Sequence, residues 1–225
     1  TKKDNEWYIH QGLFAGDGDF AKANAEAKVL LKRGVESLGF YLDTTKVQTK
    51  EDFAFLLKGI DLTVVPVSFC GCSLKNAATL NGFISYLDSL GVDKDAVNAV
   101  FDFNPLMTLN TKGYFCEESA FVKLAECVKA AQEYKNIRVI TVDATTFNGA
   151  GASSTQELAF ALAEGSEYIS RLTELGISAK DVAKKMLFVF SVGSSYFMEI
   201  AKFRAARMLW ANVVEAYGTD SNCAK

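Results

Sequence analysis

The sequence MLFVFSVGSSYFMEIAKFRAARMLWANVVEAYG, residues 186–218, indicates the fold class. It opens with an uninterrupted apolar run at 186–190, which has the length and composition of a buried parallel strand. The small residues at 193–195, Gly-Ser-Ser, then interrupt the run and offer an N-cap for a helix. A long helical pattern follows, and Gly218 lies where a glycine commonly ends a helix. This order of strand, loop and crossover helix is the repeating unit of an α/β protein.

The predicted helix of this stretch has one apolar stripe, and an acidic residue lies over it. At about 100° per residue the stripe contains Phe203, Ala206, Trp210, Val213, Val214 and Tyr217. Glu199 lies over the same stripe, and Lys202 lies at its margin. Because buried carboxylates are usually paired, we expect a structural ion pair of Glu199, either with Lys202 or with a base from another element. Trp210, at the centre of the stripe, is expected to be buried.

Before this stretch, predicted strands and helices alternate along the chain. An extended segment at 7–14 comes first. Strands are predicted at 35–42, 62–69, 97–103 and 137–142, with a bulge or a missing ladder bond at Pro66. Helices are predicted at 20–34, from Thr45 or Thr49 to 58, and at 76–90, 117–134 and 155–176. The alternation, completed by the strand at 186, is typical of βα units around a parallel sheet.

The pattern favours a partial TIM (β/α) barrel within the α/β class. No glycine-rich dinucleotide fingerprint opens a helix after a strand, and no phosphate-loop lysine is present, so a Rossmann fold has weak support. Five predicted units are too few to close the about eight strands of a barrel. The chain is therefore either an open sheet or part of a longer barrel. Because the strands at 35–42 and 186–191 would be its open edges, we expect the chain to self-associate.

Composition excludes several classes of protein. The chain is 49% hydrophobic and 23% charged, with a net charge of −3, as expected of a globular protein. Acids and bases are interleaved without a basic block, which argues against nucleic acid as a partner. No apolar stretch approaches the ~18 residues of a membrane span, so no membrane association is expected.

The cysteines and the single histidine do not have the pattern of a metal site. The five cysteines are Cys70, Cys72, Cys116, Cys127 and Cys223. Cys70 and Cys72 form a C-x-C pair, which is too few ligands for a zinc site without nearby partners. The odd number of cysteines predicts free, mostly buried thiols in a reducing cytoplasm. The lone histidine, His10, is a candidate general base, but a solvent-facing or hydrogen-bonded structural role is the favoured interpretation.

Two segments resemble the methylmalonyl-CoA mutase family. The run FMEIAKFRAAR at 197–207, with LWA at 209–211, resembles the most characteristic segment of that family. NGAGA at 148–152, followed by QELAFALAEG at 156–165, resembles its AGA loop and the helix that follows. The segment at 7–14 resembles the start of the family's first barrel strand. The resemblance keeps the order of segments over essentially the whole chain.

The resemblance implies a TIM barrel that surrounds the pantetheine of an acyl-CoA. Residues 1–225 would supply about the first five of the eight βα units. It also implies a radical rearrangement between methylmalonyl-CoA and succinyl-CoA. The adenosylcobalamin of the holoenzyme would be bound by the partner chain, and the cobalamin-binding-like C-terminal domain would lie outside these residues. No cofactor is therefore expected on this chain.

The sequence departs from active family members at the positions of their site. A Tyr-His pair before the AGA loop is replaced by Thr145 and Thr146, and the glutamate before its first Ala is replaced by Gly149. A glutamine of the third predicted strand is replaced by Phe101, and an aromatic of the opening segment by Gly12. The same losses occur in the small, non-catalytic subunit of cytoplasmic heterodimeric mutases, which this chain therefore resembles. These mutases are isomerases, and their large subunit is the catalytic one. No catalytic residue is therefore expected here.

Two other functions stay open. One is an active cobalamin-dependent acyl-CoA mutase with an altered substrate. The other is a small-molecule-binding barrel that binds phosphate at a helix N-terminus through the loop 149–152 with Ser153 and Ser154. The structural role is favoured because Thr145 and Thr146 remove both the aromatic ring and the imidazole.

Overall fold

The computed structural model describes residues 7–43, 45–71, 76–115, 119–220 and 222. The chain forms two compact units. The first comprises residues 1–102 and 133–137, and the second comprises residues 103–132 and 138–225.

A five-stranded sheet organises the first unit. Its strands are β1 (His10–Phe14), β2 (Ser37–Leu42), β3 (Val67–Gly71), β4 (Ala99–Phe101) and β5 (Ile137–Arg138), in that spatial order. The pairs β1–β2, β2–β3 and β3–β4 are parallel. The α/β class with a parallel sheet is therefore confirmed, whereas closure into a barrel stays a prediction.

Three helices follow the first three strands: α1 (Phe20–Lys32), α2 (Lys50–Leu56) and α3 (Asn76–Leu90). Local sequence fixes where they begin. The Asp19 side chain accepts the Lys22 amide at the start of α1. Thr49, one of the two predicted starts, forms a capping box with Asp52 at the start of α2.

An aromatic cluster forms the core of the first unit. The ring of Phe69 lies 4.9–5.7 Å, between centroids, from the rings of Phe40, Phe53, Phe83 and Phe101. Phe40 pairs with Phe69 in the sheet register, and Phe69 pairs with Phe101, so these three side chains share one face of the sheet. Phe53 of α2 and Phe83 of α3 meet them there.

The second unit contains the parallel pair β6 (Ile140–Asp143) and β7 (Met186–Val189). Its helices are α4 (Pro105–Lys112), α5 (Ala120–Ala130), α6 (Thr145–Gly149), α7 (Ser154–Glu174), α8 (Ala179–Lys184) and α9 (Tyr196–Ala216). The long helices α7 and α9 are in contact. Among the described residues β7 pairs with β6 alone, as expected of an edge strand.

A glycine permits the close packing of α7 against α9 and β7. A Cβ atom at Gly165 would lie 2.7 Å from Trp210 and 2.9 Å from Phe188. The ring centroids of Phe188 and Trp210 lie 4.8 Å apart, and Trp210 is only 6% exposed. The prediction that Trp210 is buried is confirmed.

Two predictions about the first sheet are wrong. Residues 10–14 form strand β1, so the strand predicted at 35–42 has neighbours on both sides and is not an edge. The strand predicted from Leu62 begins only at Val67, and a turn occupies the residues before Pro66. The reason is that proline has no amide hydrogen for the ladder, so it precedes the strand while its carbonyl accepts the Leu38 amide.

The strand predicted at 137–142 is interrupted at Val139. Its first part is β5 of the five-stranded sheet and its second part is β6, paired with β7. The short helices α4, α6 and α8 were not predicted. The helix predicted from Glu117 begins at Ala120 among the described residues, and Glu117 lies outside them. In the described part of the chain, no helix has the length and apolarity needed to cross a membrane.

Replacing Trp210 with alanine tests the packing of α9. We expect Trp210→Ala to lower the free energy of unfolding by about 3–5 kcal/mol, because it leaves a cavity against Phe188 and Gly165. Urea unfolding followed by circular dichroism measures this change. Met208→Ala is the control, because Met208 lies on the same helix and is 64% exposed. Equal effects of the two substitutions would contradict the packing.

Candidate functional site

A buried polar cluster lies just beyond the C-terminal end of β7. The Lys202 ammonium of α9 lies 2.9 Å from Glu157 Oε2 and 2.7 Å from Glu199 Oε2. It also donates to the Ser191 carbonyl at 2.6 Å. The Ser191 amide donates to Glu157 Oε1 at 2.8 Å. The cluster therefore joins α7, α9 and the segment after β7.

The electrostatics of the cluster favour its charged form. The Lys202 and Glu157 side chains are 3% and 0% exposed. Burial lowers the pKa of Lys202, but Glu199 and Glu157 outweigh burial, so the net shift is upward. The Lys202 ammonium holds the pKa of Glu199 below its usual range, with help from the Gly193 amide. The predicted ion pair of Glu199 is confirmed, with Lys202 as its partner.

Glu157 was not predicted as a member of this cluster, although the sequence contains a signal for it. Glu157 falls on the buried face of α7, together with Ala161, Glu164 and Tyr168. An acid on an apolar stripe is the same signal that singled out Glu199. Because the Lys202 ammonium already has three oxygen partners, it is a structural cation and not an available nucleophile.

Thr145 and Thr146 begin α6, directly after β6. Asp143 Oδ1 accepts the Thr145 amide at 3.0 Å and the Thr145 hydroxyl at 2.5 Å. The Thr146 hydroxyl donates to the Asp143 carbonyl at 3.4 Å. Gly149 lies on the same helix, and a Cβ atom there would meet nothing within 4 Å. The structure thus places Thr145, Thr146 and Gly149 on one short helix.

Gly12 and Phe101 belong to the first unit, where they have different surroundings. The ring of Tyr41, from β2, covers Gly12, and a Cβ atom at Gly12 would lie 2.7 Å from Tyr41 Cε2. Phe101 lies in the aromatic core, in contact with Phe69 and Phe83. In this structure Phe101 therefore stabilises the core and is not at a surface that a ligand could reach.

The remaining candidates from the sequence have local partners. His10 is hydrogen-bonded to Ser37 and Ser68, as the favoured interpretation expected. The hydroxyl of Ser153, in the predicted phosphate loop, forms a capping box with Gln156 at the start of α7. The Cys127 thiol is buried, and burial raises its pKa to about 12. Cys72, Cys116 and Cys223 lie outside the described residues.

A second buried acid, Glu164, was also missed. It is 8% exposed, and its Oε1 accepts a hydrogen bond from Asn110 of α4. Its Oε2 is buried without a hydrogen-bond partner. Burial raises the pKa of Glu164 to about 7, because the Asn110 bond offsets it only in part and the charge of Asp143 adds to it. Within the described ranges, no group of three metal-ligating side chains is present.

The fold and this site define an α/β protein in which strand β7 ends at a buried ion cluster and helix α6 begins with two threonine hydroxyls. A sequence model of the methylmalonyl-CoA mutase family matches residues 44–225. The chain is 39% identical to the methylmalonyl-CoA mutase small subunit of Porphyromonas gingivalis, over 97% of this chain and 35% of that protein. It is 32% identical to the small subunit of Streptomyces virginiae, over 96% of this chain and 34% of that protein.

The match to a large subunit is weaker and shorter. The chain is 29% identical to the methylmalonyl-CoA mutase large subunit of Porphyromonas gingivalis, over 76% of this chain and 24% of that protein. The chain belongs to the methylmalonyl-CoA mutase family. It spans about a third of the length of the small subunits that it matches.

Removing the buried cation tests the cluster. We expect Lys202→Met to lower the free energy of unfolding by about 3–5 kcal/mol, because Glu157 would be left buried without its cation. Chemical denaturation measures the change. Lys94→Met is the control, since its ion pair with Glu133 is exposed to solvent and is expected to contribute far less to stability. If Lys202→Met lowered the free energy of unfolding no more than Lys94→Met does, the cluster would not have the stabilising role assigned to it.

The raised pKa of Glu164 predicts a dependence of stability on pH. The Glu164 carboxyl has a pKa of about 7 in the folded protein and a reference pKa of 4.5. Its protonated form therefore favours folding, and this stabilisation is lost as the pH rises from 4.5 through 7. We expect stability to fall by about 3 kcal/mol between pH 4.5 and pH 8, relative to Glu164→Gln. Urea unfolding at both pH values measures the difference.

The exposed acid Glu174 of the same helix provides the control for this pH dependence. Glu174→Gln is expected to retain the wild-type change between the two pH values. If Glu164→Gln retained it too, another group would be responsible.

Proposed function

We propose that this chain is part of the small, structural subunit of a heterodimeric, adenosylcobalamin-dependent methylmalonyl-CoA mutase. In this proposal the holoenzyme is an isomerase that interconverts methylmalonyl-CoA and succinyl-CoA, and the large subunit carries out the chemistry. The likeness to two small subunits supports it, and so does the large subunit from one of the same organisms. A cytoplasmic location is part of the proposal.

One observation carries the non-catalytic role. The hydroxyls of Thr145 and Thr146 are hydrogen-bonded to Asp143 at the end of β6. A threonine hydroxyl is neither a general base near neutral pH nor an aromatic group that could contact a cofactor ring. The side chains at these two positions therefore hold α6 against β6 and supply no catalytic group.

The described residues do not fit a cobalt ligand. The chain has one histidine, and contacts with Ser37 and Ser68 occupy both ring nitrogens of His10. An imidazole that would bind a metal needs one ring nitrogen free for it. We therefore assign the adenosylcobalamin to the partner chain.

The architecture of the proposed subunit is a longer (β/α) barrel. Parallel strands followed by helices support it, and so does the length of the relatives, about three times that of this chain. Residues 1–225 would be its first part, with a cobalamin-binding-like domain further on. A 225-residue chain with β7 as an edge would self-associate through that strand.

An active mutase with an altered substrate is the second candidate. It is supported by one observation, the aromatic ring of Tyr41 that covers Gly12 and faces away from the aromatic core. The aromatic lost from the opening segment is thus replaced, in part, by a neighbour. The imidazole at position 146 has no such replacement among the described residues of α6.

A mutase assay separates the two candidates. The full-length protein is purified alone and with its large subunit, and succinyl-CoA formation is measured with adenosylcobalamin and methylmalonyl-CoA. We expect no product from the protein alone and turnover from the complex. Thr145→Ala with Thr146→Ala in the complex is expected to leave turnover within about twofold, because both hydroxyls are hydrogen-bonded to Asp143. Turnover by the isolated protein would favour the second candidate.

A further inference from the structure

Three polar side chains lie side by side on one face of the five-stranded sheet. His10 of β1 pairs with Ser37 of β2 in the register, and Gly39 of β2 pairs with Ser68 of β3. Because side chains alternate along a strand, this face is opposite the aromatic core that contains Phe69. Ser37 is buried, Ser68 is half-buried and His10 is exposed, so a small molecule can reach the imidazole and the Ser68 hydroxyl.

The hydrogen bonds fix which nitrogen of His10 carries the proton. The Ser37 hydroxyl donates its single hydrogen to the Pro66 carbonyl at 3.1 Å. With that hydrogen donated to Pro66, Ser37 accepts in its 2.8 Å contact with His10 Nδ1, and the ring proton is assigned to Nδ1 on this basis. Burial lowers the pKa of His10, which keeps the ring neutral at pH 7. A neutral ring with its proton on Nδ1 has an unprotonated Nε2.

That unprotonated nitrogen faces a serine. His10 Nε2 lies 3.3 Å from Ser68 Oγ, so the Ser68 hydroxyl is the donor of this contact. Gly39 leaves the space that the contact needs, since a Cβ atom there would lie 2.7 Å from Nε2 and 3.1 Å from Ser68 Oγ. A hydroxyl directed at an unprotonated imidazole whose other nitrogen is held is the arrangement of a base-activated nucleophile.

We propose that Ser68 is a nucleophile that takes an acyl group from an activated ester or thioester, with His10 as its general base and Ser37 as the positioning residue. Ser68 Oγ forms a bond to the acyl carbon while its proton passes to His10 Nε2. The bond from the acyl carbon to the leaving oxygen or sulfur breaks, and the leaving group takes that proton. Water, deprotonated by His10, then releases the carboxylic acid and restores Ser68.

The proposal does not rest on the mutase function. A purely structural trio would also join β1, β2 and β3, but it would give Ser68 no special reactivity. The two roles differ in a covalent readout that unfolding measurements do not provide. The experiment is therefore acylation of the full-length protein, located residue by residue.

The full-length protein is treated with p-nitrophenyl acetate, and separately with S-phenyl thioacetate, and acetylated peptides are quantified by mass spectrometry. We expect Ser68 to be acetylated at least tenfold faster than Ser195, an exposed serine whose side chain does not cap its helix. His10→Gln should remove this advantage, since general base catalysis contributes about 10²-fold or more. Ser37→Ala should reduce it less and leave the protein folded. Reaction in one arm only would restrict the acyl donor to esters or to thioesters.

Two results would overturn the proposal. One is acetylation of Ser68 no faster than that of Ser195 in both arms. The other is a fast reaction at Ser68 that persists in a folded His10→Gln protein. If His10→Gln does not fold, the comparison of Ser68 with Ser195 in the wild type decides alone.

Discussion

The structure of the second unit depends on the buried ammonium of Lys202. Lys202 and Glu157 are almost fully removed from water, and each loses favourable hydration that only well-placed partners can replace. The three partners of the ammonium and the two of the Glu157 carboxylate meet this condition. The Ser191 carbonyl accepts from Lys202 and the Ser191 amide donates to Glu157. The backbone after β7 must therefore lie where it can reach both charged groups. The pair thereby fixes where α7 and α9 stand at the end of β7.

The ion cluster also accounts for most of the polar groups at the end of β7. In a parallel α/β fold, the carboxyl ends of the strands are where ligand sites form. Here β6 ends in Asp143, whose oxygens are used by the two threonines of α6, and β7 ends at the ion cluster. At each of these two strand ends, the polar groups are hydrogen-bonded to their own neighbours. Such an arrangement stabilises the fold and leaves few groups for chemistry, in agreement with the structural role that we propose.

The sequence predicted the long elements and missed the short ones, for physical reasons. Apolar runs and 3.6-residue periodicity identify β2, α1, α3, α7 and α9, because burial selects those patterns along many residues. Segment 10–14 has only one buried side chain, Leu13, so no pattern distinguishes this edge strand from a loop. Helix α4 has a local sequence signal, although it is only eight residues long. Asn104 caps the helix and Pro105 opens it.

Long-range pairing was the part least accessible to sequence. Glu199 could be predicted to need a cation, and Lys202 is near in sequence, yet Glu157 lies 45 residues away and completes the cluster. The same limit applies to Glu164, whose partner Asn110 is 54 residues away. Periodicity shows that such acids face the interior, but it does not show which neighbour faces them. Only the packing of α7 against its neighbours supplies that information.

Gly12 shows how a site can differ from what a motif suggests. When the sequence alone is compared with the family motif, Gly12 replaces an aromatic residue. Read across the sheet, the ring of Tyr41 lies over Gly12, and a Cβ atom at position 12 would be within 2.7 Å of it. An aromatic at position 12 and Tyr41 in its present rotamer thus exclude each other. The two positions are coupled through the register that pairs Phe14 with Tyr41 and Gly12 with Gly39. Side chains from neighbouring strands therefore determine the chemistry of this face together. A count of the replaced residues along one strand overstates how many functional groups the face has lost.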